Sequence, residues 1–200
     1  MVGAEPVDQD DMRSWSCVLA MVAVFGGVAA EGRAVTQSDV TAFLLTKRDV
    51  GASYSLNRDI TYRPTLADRS TEMGATFRRD LAAKWIAAAQ TGFDGSAAVS
   101  HQEILSTADL FRTTSFTSIR KAWETRYLNL GKGARLPIPV GAPGEARFLM
   151  RGRMLSNGTK LEVLLYQWQN GKTLRSVWLI ARPGVPRVSR LIALARLQAA

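Results

Sequence analysis

The chain has 200 residues and a mass of 21.9 kDa; 46% of its residues are apolar, 22% are charged, and its mean hydropathy is -0.04. A folded domain of this size buries about 70% of the surface its unfolded chain exposes, so neither disorder nor a disulfide scaffold is implied. One Cys and one His exclude metal sites built from several such ligands and CxxC redox chemistry, while a formal net charge of +9 points to anionic partners.

Residues 17–30, CVLAMVAVFGGVAA, form an apolar run between Arg13 and Glu31. A spanning helix wants about 20 apolar residues and a secretory core about 7–15, so this run reads as the core of an export signal. Val28 and Ala30 fit the small-residue cleavage pattern, and Gly32 with Ala34 offers a second site. The acidic stretch Glu5, Asp8, Asp10 and Asp11 does not suit a signal's leading segment, which makes Met12 the expected start. Cys17 opens the apolar run instead of following it, which argues against a lipid anchor. The expected product is periplasmic or extracellular, cleaved near Ala30 or Ala34. The alternatives are an uncleaved membrane anchor and a buried helix. The domain organisation read from this is an N-terminal extension and signal over 1–34, then a single α+β domain over 35–200.

Beyond Val35, Thr36 to Thr46 reads as a short capped helix and Tyr54 to Tyr62 as a strand. A long helix is expected from Leu66 to Ala89, because Met73, Phe77, Leu81 and Trp85 recur at i+4. Gly92 to Leu105 can supply one or two short strands. A second helix is signalled by Thr107 as cap, with Phe116, Ile119, Trp123 and Tyr127 on one face. Helical spacing alone accounts for these aromatic stripes, so they read as core and not as a ligand box. The segment 131–144, GKGARLPIPVGAPG, divides this helical half from a strand half.

Two Asn-Gly pairs, Asn157-Gly158 and Asn170-Gly171, sit between apolar runs and mark two-residue hairpin turns. They predict an antiparallel meander over Arg147–Ser156, Thr159–Gln169 and Lys172–Ala181. Turn length sets register, and register sets which side chains share a face. With Ser156 opposite Thr159 and Gln169 opposite Lys172, one face collects Phe148, Met150, Met154, Leu161, Val163, Leu165, Leu174, Trp178 and Ile180, with Gln167 and Ser176 as its polar members. The other face collects Arg147, Arg151, Arg153, Lys160, Glu162 and Arg175, among Leu149, Leu155, Leu164, Tyr166, Trp168, Val177 and Leu179. A closing amphipathic helix spans Arg187 to Ala199. The fold class expected is α+β, with amphipathic helices covering one face of a mainly antiparallel sheet.

Charge is unevenly divided. Residues 35–119 carry 9 basic and 9 acidic side chains, whereas residues 120–200 carry 15 basic and 3 acidic. Solvated arginines on a sheet face serve solubility in many proteins. Arg147, Arg151, Arg153 and Arg175 beside Tyr166 and Trp168 would instead form a binding surface for polyanions or glycans. Export favours anionic lipid or an envelope polymer over nucleic acid, and no metal or other cofactor is expected. Catalysis finds little footing: the lone His101 has no G-x-S-x-G elbow to serve, and nothing marks one carboxylate pair among the acids. Asn157-Gly158-Thr159 is formally a glycosylation sequon that reads better as a turn.

The signal, the Tyr166-x-Trp168-x-Asn170-Gly171 hairpin and the closing helix with Ala195-Arg196-Leu197-Gln198 together resemble uncharacterised exported α+β domains of bacterial envelopes with PsbP/Mog1-like helix-on-sheet arrangements. The leading expectation is an exported non-catalytic domain that works through binding or interaction in the cell envelope or outside it. The alternatives are an electrostatic binder working through the basic sheet face and a small hydrolase with an unrecognised site.

Overall fold

A computed structural model of the chain describes residues 40–71, 75–130, 132–156 and 158–200. The apolar run 17–30 with its cleavage positions, the first residues of the helix expected from Thr36, and Asn157 lie outside the described residues.

In chain order the elements are α1 (Lys47–Val50), β1 (Tyr54–Tyr62), α2 (Leu66–Thr71), α3 (Ala75–Lys84), β2 (Trp85–Gly95), a 3-10 turn (Ala97–Val99), β3 (Glu103–Phe111), α4 (Thr117–Leu130), β4 (Ala134–Arg135), β5 (Glu145–Ser156), β6 (Thr159–Asn170), β7 (Thr173–Ala181) and α5 (Val188–Ala199). The strands form one seven-stranded sheet in the order β1-β2-β3-β7-β6-β5-β4. Every neighbouring pair is antiparallel. The class is α+β, and β5, β6 and β7 form the expected meander.

Side-chain alternation gives each strand of the meander two distinct faces. On the front face Phe148, Met150 and Leu165 pack under Tyr127 and Leu128 of α4, while Leu174 joins Leu81 of α3 and Ile119 and Trp123 of α4. The aromatic stripe of α4 is core, as its spacing indicated: Phe116 and Ile119 are fully buried and Trp123 nearly so. On the back face Leu149, Leu164, Tyr166, Trp168, Val177 and Leu179 pack against Leu191, Ile192, Leu194 and Ala195 of α5. Helices therefore lie on both faces of the sheet. Burying each large aliphatic of α5 is worth roughly 1.5–3 kcal/mol, which outweighs keeping that face wet for its arginines.

Register holds in the first hairpin, where Ser156 pairs with Thr159. In the second, Asn170 pairs with Thr173, so the turn is Gly171-Lys172 and the register differs from expectation by two residues. A shift of two preserves every face assignment. The reason is local: Gly171, with φ 55°, takes the first turn position, where a type II′ turn wants glycine, and the Thr173 hydroxyl donates to the Asn170 carbonyl at 2.8 Å.

Two helix expectations are corrected. Residues 66–89 do not form one helix: a capping box of Thr65 and Asp68 starts α2 at Leu66, but from Trp85 onward the chain is β2. Ladder pairing of Ala87, Ala88 and Ala89 with Leu110, Asp109 and Ala108 overrides the helical propensity of an alanine-rich run. Thr107 caps nothing either. It lies inside β3, its hydroxyl 2.6 Å from that of Ser176, and the following helix starts at Thr117. Of the helix expected over 36–46, residues 40–41 are helical and 42–44 turn.

Candidate functional site

Among the six residues expected to form a binding face, three are closed off, two of them aromatic. Tyr166 and Trp168 are fully buried, stacked with ring centroids 5.3 Å apart beneath α5 and the 136–144 loop. The Tyr166 hydroxyl donates to the Pro143 carbonyl at 2.7 Å, and burial pushes its pKa up to about 12. Gly144, at φ 78°, lies so close to the Trp168 ring that a Cβ there would stand 2.1 Å from Cδ1.

Arg175 is also buried. Its guanidinium lies 4.1 Å from the Phe43 ring centroid and donates to the Gln198 carbonyl at 2.6 Å, fastening the last turn of α5 to the sheet. Burial pulls its pKa down, and the negative end of the α5 dipole helps hold the charge. Arg147 is exposed and donates to the Ala142 carbonyl at 3.2 Å. Arg151 pairs with Glu162 at 3.2 Å, and Arg153 is exposed. The structure does not join the six into one surface.

It builds a different basic surface. Arg153 lies opposite Glu162, which lies opposite Ala181, and Leu155 lies opposite Lys160. This row brings Arg153, Lys160 and the strand-ending Arg182 to one end of the sheet, where the loop leading into α5 returns and the Gly184 N–H donates to Glu162 at 3.1 Å. Arg153, Lys160, Arg182 and Arg187 are exposed, and none has a side-chain hydrogen bond or ion pair among the described residues. Two of the three acids in the second half are already engaged. Glu162 holds Arg151 and Gly184, while Glu124, 3% exposed, is clasped by Arg120 and by Arg135 at 2.9 Å.

Beside this surface opens a cleft of about 370 Å³, bounded by the α1–β1 turn, the β2–β3 connection and the start of α5. Ser53, Tyr54, Ser100, Gln102, Arg187 and Arg190 supply its polar lining, and none of its lining residues is acidic. Tyr54 donates to the Gln102 side-chain carbonyl at 2.9 Å. Burial raises the Tyr54 pKa, partly offset by the nearby Arg190. Arg190 reaches the Val50 carbonyl at 3.0 Å. Ser100 and His101 sit at φ 55° and 52°, a left-handed pair that turns the connection back at the cleft rim. In the sequence, Arg187 and Arg190 stand only as basic residues at the start of the closing amphipathic helix. The available signal was a cation at the N-cap and another in the first turn of a helix with no acid there, against the usual dipole preference.

A buried polar cluster elsewhere serves structure. Asp109 in β3 accepts from Arg69 Nε at 3.0 Å, Arg69 Nη2 at 3.1 Å and Trp85 Nε1 at 3.0 Å. Glu103, half-buried and directly opposite Asp94, has its pKa raised by burial and by that neighbouring carboxylate. No group of three or more potential metal ligands occurs among the described residues. His101 is exposed and has no side-chain hydrogen-bond partner among them.

No family model matches the chain, and no curated protein matches it significantly. Among solved structures it is similar to the extracellular domain of PknH from Mycobacterium tuberculosis, with a TM-score of 0.52 and 8% identity over 84% of this chain and 97% of that one. At that identity the likeness is one of fold. The PsbP/Mog1-like resemblance gains no support from these findings.

Proposed function

We propose that this chain is an exported, non-catalytic binding domain that meets an anionic lipid surface through its basic end. The observation that carries the reading is the set of four exposed cations at one end of the sheet, Arg153, Lys160, Arg182 and Arg187, none of them paired among the described residues. Each contributes about 1 kcal/mol near an anionic membrane, so four acting together suffice where scattered ones do not. Leu155, 39% exposed on the same hairpin, adds an apolar contact between the cations and favours a membrane over a soluble polymer. Export is supported by the apolar run 17–30 and by a fold shared with an extracellular domain. No helix among the described residues is long and apolar enough to cross a membrane.

The test is co-sedimentation of the full chain with phosphatidylcholine vesicles, with and without phosphatidylglycerol. It is run at about 0.01 M and about 1 M salt, where the Debye length falls from about 30 Å to 3 Å. Binding should require the anionic lipid, vanish at high salt and be lost in the triple charge reversal Arg153→Glu, Lys160→Glu, Arg182→Glu. Anchoring by the apolar run would be indifferent to all three changes and would overturn the reading. Retention on a soluble anionic polymer without vesicle binding would also overturn it, in favour of an envelope polymer.

A further inference from the structure

The polar part of the lining of the cleft beside the basic surface is hydroxyls, one amide and two arginines, and no carboxylate is among its lining residues. We propose that it is a recognition site for one phosphate-type group, either free phosphate or the phosphomonoester headgroup of a lipid. This rests on the reading of this end of the molecule as the binding end.

The volume, about 370 Å³, falls at the lower end of the roughly 300–1,000 Å³ typical of small-ligand sites. Its chemistry is one-sided. Arg187 and Arg190 bring two guanidinium forks, and neither is ion-paired among the described residues. The hydroxyls of Ser53 and Ser100 are likewise unpartnered among the described residues. Tyr54 occupies the Gln102 carbonyl and so leaves the amide N–H groups as that residue's remaining polar contribution. Phosphate oxygens are acceptors, and arginine's planar fork matches them in pairs.

A second observation points the same way. Arg187 and Arg190 occupy the start of α5, where the helix dipole is positive, and no acidic residue stands in that first turn. Two cations there repel the dipole and one another, a local conflict of the kind proteins tolerate at functional sites. An anion in the cleft relieves both repulsions. Arg190 is braced by the Val50 carbonyl, so one fork is positioned in advance while the exposed Arg187 is free to close on the ligand.

The experiment titrates the full chain with inorganic phosphate by calorimetry, against chloride at matched ionic strength. One equivalent should bind saturably, and Arg187→Ala should weaken it about tenfold or more, as expected for a charge-assisted contact of about 1.4 kcal/mol. Arg190→Lys keeps the charge but loses the fork and should also weaken binding. Should that variant fold poorly, Arg187→Ala decides, because its exposed side chain has no hydrogen bond or ion pair among the described residues. Competition of phosphatidic acid vesicles with phosphate identifies the lipid headgroup as a source, and lack of competition identifies the free anion; both support the site. A response no larger than that to chloride, or full affinity in Arg187→Ala, overturns it. If vesicle binding still depends on salt, Arg153 and Lys160 in that case, the reading of the basic end survives without the cleft. Conversely, the Arg153→Glu, Lys160→Glu pair should abolish vesicle binding and leave phosphate affinity unchanged.

Discussion

At the C-terminal end of α5, Arg175 is buried on Phe43, donates to the Gln198 carbonyl and complements the helix dipole; at the N-terminal end, Arg187 and Arg190 face an open cleft and oppose it. The two ends of one helix thus meet arginine differently: Arg175 of β7 binds its last turn to the sheet, while Arg187 and Arg190 at its start line an open cleft. The difference shows that a basic chain's excess charge is not a single property. Arg69, Arg120, Arg135 and Arg175 are consumed by Asp109, Glu124 and a helix terminus, while Arg153, Lys160, Arg182 and Arg187 are exposed with no side-chain partner among the described residues.

The comparison can be broken most severely at the consumed cations. Asp109→Asn leaves the Arg69 charge buried without its carboxylate and should cost about 3–5 kcal/mol in urea unfolding. Arg175→Ala removes a charge-assisted bond to Gln198 and the stack on Phe43, for an expected loss of about 3 kcal/mol. Hydrogen exchange should then show the C-terminal turn of α5 opening ahead of the rest of the sheet.

Smaller effects sharpen it. Glu103→Gln removes a like charge opposite Asp94 and should raise stability at neutral pH by a fraction of 1 kcal/mol, about the scale of a cross-strand pair. Because the folded pKa of Glu103 is raised, the native state binds its proton more tightly than the unfolded chain does. Stability therefore falls as pH rises from the ordinary glutamate value through the folded one, and the variant should flatten that slope in a pH series of unfolding curves. The smallest effect is expected at the free end of α5: Arg187→Ala should change stability by about 0.5 kcal/mol or less, and upward, since it removes a charge opposed to the dipole. A loss of several kcal/mol there would mean that Arg187 is structural after all, and the contrast between the two ends would collapse.

The C-terminal half was legible because its signals are local. Glycine turns and strict alternation assign Met150 to one face and Arg151 to the other whether the second turn is Asn170-Gly171 or Gly171-Lys172. The first half was less legible because neighbours in space, not in sequence, decide it. Ala87–Ala89 have helical composition but become strand when Leu110, Asp109 and Ala108 of β3 pair with them. The binding face failed for a similar reason. Alternation correctly put Arg175, Tyr166 and Trp168 on one side of the sheet, but it carries no information about what packs on that side.

What the sequence by itself determined is the meander, its two faces, the closing amphipathic helix and the location of the net positive excess in residues 120–200, all consequences of periodicity, turn chemistry and composition. Only the tertiary structure decided which cations reach solvent. Docking α5 buries several large aliphatic side chains at roughly 1.5–3 kcal/mol each, and that gain shuts the aromatic and arginine face while leaving the uncompensated charge at the end of the sheet where the helix begins.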